Sequence, residues 1–163
     1  MRIRASLATI VVALSGLVAV APAAEAGPEG RDTSVGIQQT TGPQAFGLLR
    51  NGATGRCLEE RPDRTVGTGA NPCNGSSAQK WQWQFLSSGP VLVNERSRLC
   101  LTGLFPMVYT STCNQPAYQR FDHHSTGQLK LYWNQNHALD SDANGAAYMH
   151  QSNDGNFQKW SWG

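Results

Sequence analysis

One short motif occurs three times along this chain and decides what it can fold into. Gln79-Lys80-Trp81-Gln82-Trp83, Gln119-Arg120-Phe121-Asp122-His123 and Gln158-Lys159-Trp160-Ser161-Trp162 share a Gln-x-aromatic centre, with the glutamines 40 and then 39 positions apart. Each motif has an upstream anchor: Cys57-Leu58-Glu59, Cys100-Leu101-Thr102 and Ala138-Leu139-Asp140, which open 22, 19 and 20 residues before their glutamines. Two markers that keep their spacing through three copies identify a repeat architecture. Units this small cannot bury an apolar face alone, so the copies must share one core.

Between the markers the pattern is β. Leu48-Leu49, Val91-Leu92-Val93 and Leu129-Lys130-Leu131-Tyr132-Trp133 are short apolar or alternating runs. Clusters of Gly, Asn, Asp, Ser and Pro separate such runs about every 8–12 residues. Beyond the first 26 residues no segment sustains a 3.6-residue apolar period. Three equivalent short-stranded units predict an all-β domain closed into a barrel with pseudo-threefold symmetry, because closure removes free sheet edges. Trp81, Phe121 and Trp160, joined by Trp83 and Trp162, are expected to fill its centre. Gln79, Gln119 and Gln158 are expected to satisfy turn backbone groups where the units converge. The motif therefore marks the fold before it marks any ligand.

The chain opens with Arg2 and Arg4, an apolar run from Leu7 to Ala21, and the small-residue site Ala24-Glu25-Ala26. This reads as a secretory signal peptide over residues 1–26, cleaved before Gly27. The run is about 15 residues, short of the roughly 20 that span a bilayer. Residues 27–43 read as a flexible Gly/Pro/Gln/Thr leader, and residues 44–163 as one domain with repeats at 44–86, 87–125 and 126–163. In an oxidising compartment the four cysteines imply two disulfides. Cys73 and Cys113 both stand six residues before their glutamines, while the third copy has Ala138 at the anchor and Ser152 six before Gln158. Because one copy lacks both partners together, pairing runs within repeats, Cys57–Cys73 and Cys100–Cys113. Each bridge contributes about 3 kcal/mol by restricting the unfolded chain.

Charge narrows the function. Thirteen Lys and Arg oppose 11 Asp and Glu, and Arg2, Arg4 and Glu25 leave with the signal, so the exported chain is nearly neutral. It has no basic run for nucleic acid and nothing to hold a membrane surface. A monomer is expected. His123-His124 beside Asp122 could suggest metal or acid–base chemistry, but adjacent strand residues point to opposite faces, and a solvent-exposed strand end is expected. No His-x-x-x-His or Cys-x-x-Cys spacing supports a metal. The pairs Glu59–Glu60 and Asp140–Asp142 are expected together in turns, not across a cleft as glycosidase carboxyls stand. No catalytic residue, metal or cofactor is assigned.

With Gln-x-aromatic elements preceded by the anchors Cys-Leu-Glu, Cys-Leu-Thr and Ala-Leu-Asp, residues 44–163 resemble the ricin B-type lectins, also described as family 13 carbohydrate-binding modules, whose hallmark is three Gln-x-Trp repeats each preceded by Cys-Leu-Asp and a second cysteine. The stretch Val108-Tyr109-Thr110-Ser111-Thr112-Cys113-Asn114 looks like the form common in secreted actinobacterial members. The resemblance implies a β-trefoil that binds carbohydrate, of galactose type or from plant and cell-wall polysaccharide. It also implies one shallow sugar site per repeat: an acid at the anchor, a platform before the second cysteine, and an Asn after it. A pyranose offers a C–H face to an aromatic ring and a hydroxyl edge to a carboxylate.

Carried over, the third repeat fits best, with Asp140 as acid, Tyr148 and His150 as platform, Asn153 after the missing cysteine and Gln158 in support. A turn-capping role for Asp140, in Asp140-Ser141-Asp142-Ala143-Asn144-Gly145, competes with the sugar role. In the first repeat Glu59 replaces Asp, Asn71 holds the platform region and Asn74 follows Cys73. In the second, Thr102 removes the charge, so Tyr109 and Asn114 are left without a carboxylate. The rival function is a protein-interaction module on the same fold, a protease inhibitor or a toxin's receptor-binding partner, for which the stretch from Glu59 to Pro72 is the longest candidate loop.

Overall fold

A computed structural model describes residues 44–69 and 72–163. The segments expected as signal peptide and leader, and Asn71, lie outside the described residues. Among the described residues twelve strands follow one another, four to each sequence copy: β1 Gly47–Asn51, β2 Leu58–Glu60, β3 Val66–Thr68 and β4 Lys80–Leu86; β5 Gly89–Asn94, β6 Cys100–Leu104, β7 Met107–Ser111 and β8 Phe121–His123; β9 Leu129–Leu131, β10 Asn134–Ser141, β11 Ala147–Gln151 and β12 Trp160–Trp162. Two 3₁₀ turns, Ala117–Gln119 and Asn156–Gln158, deliver their chains into β8 and β12.

The first and last strands of each copy build a barrel. β12, β1, β4 and β5 pair antiparallel in that order, as do β8 and β9. The bridges Val91↔Arg120 and Gln128↔Lys159 complete the ring between β5 and β8 and between β9 and β12. The middle strands form three antiparallel hairpins, β2–β3, β6–β7 and β10–β11. This is a β-trefoil.

Equivalent residues of the three copies meet in one core. Trp81, Phe121 and Trp160 are buried against Leu58, Leu101 and Leu139 of the hairpins and Leu49, Leu92 and Leu129 of the barrel. Each buried indole finds an acceptor, Trp81 Nε1 on the Leu58 carbonyl and Trp160 Nε1 on that of Leu139, both at 2.9 Å. Phe121 has no donor to satisfy. The expected strand Leu129–Trp133 is cut short at Leu131, which pairs with both Phe121 and Asn134 as the chain turns, leaving Tyr132 and Trp133 exposed.

The hairpin registers make Glu60, Gly103 and Ser141 equivalent, and likewise Thr68, Thr110 and Met149. The joints between neighbouring hairpins nevertheless differ in chemistry. Between copies one and two, Thr110 Oγ1 donates to the buried Glu60 Oε1 at 2.5 Å, and Arg64 and Arg96 pair with the same carboxylate at 3.2 and 3.1 Å. Between copies two and three the joint is apolar: a Cβ on Gly103 would lie 2.8 Å from Met149 Sδ and 3.0 Å from Phe121 Cζ. Between copies three and one, Ser141 and Thr68 are buried, and neither hydroxyl has a hydrogen-bond partner among the described residues.

Both disulfides form as expected, Cys57–Cys73 and Cys100–Cys113, each with a Cα separation of 5.0 Å.

Candidate functional site

The three motif glutamines are fully buried and do one job three times. Each Oε1 accepts the N–H that follows the second-cysteine position: Asn74 at 2.8 Å, Asn114 at 3.2 Å with Gln115 at 3.0 Å, and Asn153 at 2.7 Å. Each Nε2 donates to the anchor's third residue: Glu59 Oε2 at 2.7 Å, Thr102 Oγ1 at 3.2 Å and Asp140 Oδ2 at 2.8 Å. The glutamine thus satisfies the turn, as expected, and also aims whatever side chain the anchor carries.

In the third copy it aims a carboxylate. Asp140 on β10 stands opposite Tyr148 on β11, and His150 stands opposite Ala138 one pair further along the same face. Asp140 Oδ1 accepts the Ser141 N–H at 2.8 Å, while Oδ2 lies 3.8 Å from His150 Nδ1. The Asp140 side chain is 8% exposed and that of His150 is 53% exposed, so the carboxylate is recessed behind an open imidazole. The Tyr148 and His150 rings meet edge to face, centroids 6.1 Å apart. Burial, then the charges of Asp140 and Asp142, push the Tyr148 phenol above its ordinary 10.0. Turn capping falls to Asp142, whose Oδ1 accepts the N–H groups of Asn144 and Ala146, both at 2.9 Å. Asn153 reaches the site through its backbone, and its Oδ1 is taken by the Gly155 N–H at 2.7 Å.

Sequence reasoning missed Gln128. It occupies the barrel position of Leu48 and Val91, is buried, and its Nε2 donates to Ser152 Oγ at 3.1 Å, to the Asn153 carbonyl at 2.5 Å and to Gln158 Oε1 at 3.0 Å. A polar network thus occupies the place of the absent disulfide. A polar residue in an otherwise apolar strand register was the available signal.

The first copy holds Glu59 on Gln79, and Asn74 caps the turn through Oδ1 and the Ser76 N–H at 2.9 Å. Its cross-strand partner, however, is Gly67, the counterpart of Tyr109 and Tyr148. The Arg61 guanidinium lies where a Gly67 side chain would begin and donates to the Gly145 carbonyl at 2.8 Å. Counting eight residues from the acid, as from Asp140 to Tyr148, reaches Gly67 directly. In the second copy Thr102 is fully buried among Ser111 Oγ at 2.9 Å, the Cys100 carbonyl and Gln119. Tyr109 faces this closed hydroxyl pair.

The paired carboxyls depart from expectation. Glu59 and Glu60 are consecutive residues of β2, not of a turn, and so point to opposite faces, while Asp140 belongs to β10. His123 Nε2 lies 2.9 Å from the Trp160 carbonyl and His124 Nε2 lies 2.6 Å from Gln135 Oε1, so the two imidazoles diverge. Among the described residues no group of three or more His, Cys, Asp or Glu is arranged for a metal ion. From Glu59 to Thr68 the candidate loop is the β2–β3 hairpin, tied at its turn by Asp63 Oδ1 to Thr65.

This is a threefold all-β domain in which the motif glutamine aims a carboxylate in the first and third copies and a buried hydroxyl in the second. The profile of the ricin-type β-trefoil lectin domain matches residues 45–160. The chain belongs to the ricin-type β-trefoil lectin family. A search of curated proteins by sequence finds no match. Among solved structures, the chain is similar in fold to the Macrolepiota procera ricin B-like lectin in complex with lactose, with a TM-score of 0.60 and 12% identity over 72% of this chain and 94% of that one. It is also similar to the designed threefold-symmetric protein ThreeFoil, with a TM-score of 0.58 and 17% identity over 72% and 96% of the two chains. The GlcNAcα1-4Gal-releasing endo-β-galactosidase of Clostridium perfringens matches with a TM-score of 0.63 and 14% identity over 72% of this chain. The chain spans 31% of the length of that enzyme.

Proposed function

We propose that this is an exported, non-catalytic lectin module whose working sugar site is the third repeat. The observation that carries the reading is Asp140, recessed, fixed by Gln158 and the Ser141 N–H, and faced by Tyr148 across the hairpin. A carboxylate held in one orientation accepts from two adjacent ring hydroxyls, and the phenol edge and the His150 ring supply the flat wall against which a pyranose rests. The first repeat keeps its acid but has an arginine where the wall should stand, so it serves as a weaker, auxiliary site through Glu59. The second repeat, closed on Thr102, is structural. Export rests on residues 1–26 reading as a signal peptide, and the two disulfides are consistent with that compartment.

The lactose bound by the Macrolepiota procera lectin makes β-galactosides the first ligands to try, with soluble xylan beside them. A shallow polar site predicts weak single-site binding, of the order of millimolar, about −4 kcal/mol, so retention depends on clustered ligands. The test is a glycan array with galactose and xylan polymers, comparing the chain with Asp140→Asn. Binding lost in the variant supports the third-repeat site. An unaltered signal removes the assignment, and no binding by folded, disulfide-intact protein points to a protein partner.

A further inference from the structure

The hairpin of the second repeat ends unlike the other two. Its tip, Leu104-Phe105-Pro106-Met107, is four consecutive apolar residues, with Leu104, Phe105 and Met107 exposed by 45%, 56% and 55%. The corresponding turns carry Pro62-Asp63-Arg64 in the first copy and Asp142-Ala143-Asn144-Gly145 in the third. Exposed side chains of this size at a turn cost solubility and return nothing to the core. The tip is also fixed in place: the Pro106 carbonyl accepts the Met149 N–H of β11 at 2.8 Å. This contact sets Phe105 beside the third hairpin, its ring centroid 4.8 Å from that of His137.

Phe105, Asn136, His137, His150 and Gln151 line a cavity of about 510 Å³, within the range of small-ligand sites. His150 lines this cavity and its Nδ1 also stands 3.8 Å from Asp140 Oδ2, so it borders both. His137 and Gln151, paired next to Ala138 and His150, face the other side of the hairpin, so the cavity turns round the hairpin's edge beside His150. The cavity combines an exposed aromatic side chain with hydrogen-bonding groups. Among the described residues, the carboxamides of Asn136 and Gln151 have no intramolecular partner, and His137 spends only Nδ1, on Asn134 at 2.8 Å. An aromatic plane with uncommitted amides and no fixed charge suits an uncharged pyranose: ring carbons stack on the plane while hydroxyls exchange hydrogen bonds with the amides.

We propose that Phe105, with Asn136, His137 and Gln151, forms a second subsite that continues the Asp140 site past His150, so that the ligand is an oligosaccharide spanning both. The proposal rests on the third-repeat lectin reading. The second repeat, having lost its own acid to Thr102, lends its hairpin tip to its neighbour.

The experiment is calorimetric titration of the chain and its variants with two length series, galactose to β-1,4-galactotriose and xylose to xylotriose. The expected result, in at least one series, is a trisaccharide bound at least about tenfold more tightly than its monosaccharide, about 1.4 kcal/mol. Phe105→Ala should erase that gain while leaving monosaccharide affinity and melting temperature unchanged, and Phe105→Tyr, which keeps the plane, should restore it. Asp140→Asn should weaken all members together. Affinity independent of length, or a length gain that survives Phe105→Ala, overturns the subsite while Asp140-dependent binding still supports the lectin reading. No binding in either series by folded protein overturns both.

Discussion

Gln158 places its carboxamide nitrogen 2.8 Å from Asp140 Oδ2 while its carbonyl takes the Asn153 N–H at 2.7 Å, so one buried side chain ties the Asp140 carboxylate to the turn behind it. Gln119 makes the matching bonds to Thr102 and Asn114 in a copy that carries no acid. The two residues therefore separate stability from binding. Gln158→Ala and Gln119→Ala should each destabilise the domain by about 2–3 kcal/mol, since each leaves several buried groups unpaired. Only Gln158→Ala should also abolish sugar binding measured below the melting transition. Equal loss of binding in both would show that the glutamines act on the sugar only through global stability.

Asp140 itself is less separable from the fold than its exposed-turn neighbourhood suggests. Removing the carboxylate by Asp140→Ala strips an acceptor from both the Ser141 N–H and Gln158, so a drop of about 1–2 kcal/mol is expected alongside the loss of binding. Asp140→Asn keeps an acceptor oxygen and should melt closer to wild type. The same variant tests the electrostatics of Tyr148. Burial and the charges of Asp140 and Asp142 hold that phenol above its ordinary 10.0. In a pH titration followed by ultraviolet difference absorbance, the transition lost in Tyr148→Phe should move down in Asp140→Asn. An unmoved midpoint would mean that burial and Asp142, without Asp140, set it.

The fold was legible because the repeat declares it: near-constant spacing between anchor and glutamine required three equivalent units, and Cys73 and Cys113 fell at the same offset from their glutamines. Which repeat keeps an acid was legible too, since Asp140, Glu59 and Thr102 are read at one anchor position. What the linear sequence hides is pairing across a hairpin. Gly67 and Tyr148 are equivalent only through strand register, whereas Asn71 is read from its distance to Cys73 along the chain and lies outside the described residues. Gln128 and Phe105 were hidden for a related reason. Gln128 touches the segment after β11 and Phe105 touches His137 of β10, and no local pattern records contacts between elements that are distant along the chain.

Glu60 ties the first two hairpins through a fully buried carboxylate. Burial raises its pKa, but hydrogen bonds from Thr110, Ser97, Arg64 and Arg96 together outweigh it and hold the group below its ordinary 4.5. A carboxyl depressed in the folded state contributes stability that is present above its unfolded pKa and is lost as pH falls through its folded pKa. Melting temperature should therefore decline as pH drops below about 4. Glu60→Gln should be less stable than wild type at pH 7 by about 1–3 kcal/mol and should lose less on acidification. Parallel pH profiles for the two proteins would assign the acid sensitivity to other carboxylates.

The third copy offers the sharpest test of the pseudo-symmetry. Ala138 and Ser152 stand where Cys57–Cys73 and Cys100–Cys113 are bridged at a Cα separation of 5.0 Å, and Ala138 is fully buried at a position that a cysteine fills in the other two copies. The double variant Ala138→Cys/Ser152→Cys should oxidise without strain and close a loop of similar length, adding about 3 kcal/mol, or a rise of about 10 °C in Tm. Ser152 Oγ now accepts from Gln128 Nε2 at 3.1 Å, and losing it still leaves Gln128 the Asn153 carbonyl and Gln158 Oε1 as acceptors. The clamp on Asp140 should therefore survive, and sugar affinity should be unchanged in the stabilised protein. Thiol titration and melting under oxidising and reducing conditions decide the matter. A variant that keeps two free thiols would mean that the Gln128 network holds the third copy in a geometry no disulfide can span, whereas one that oxidises but binds sugar poorly would show that the same network aligns the Asp140 site.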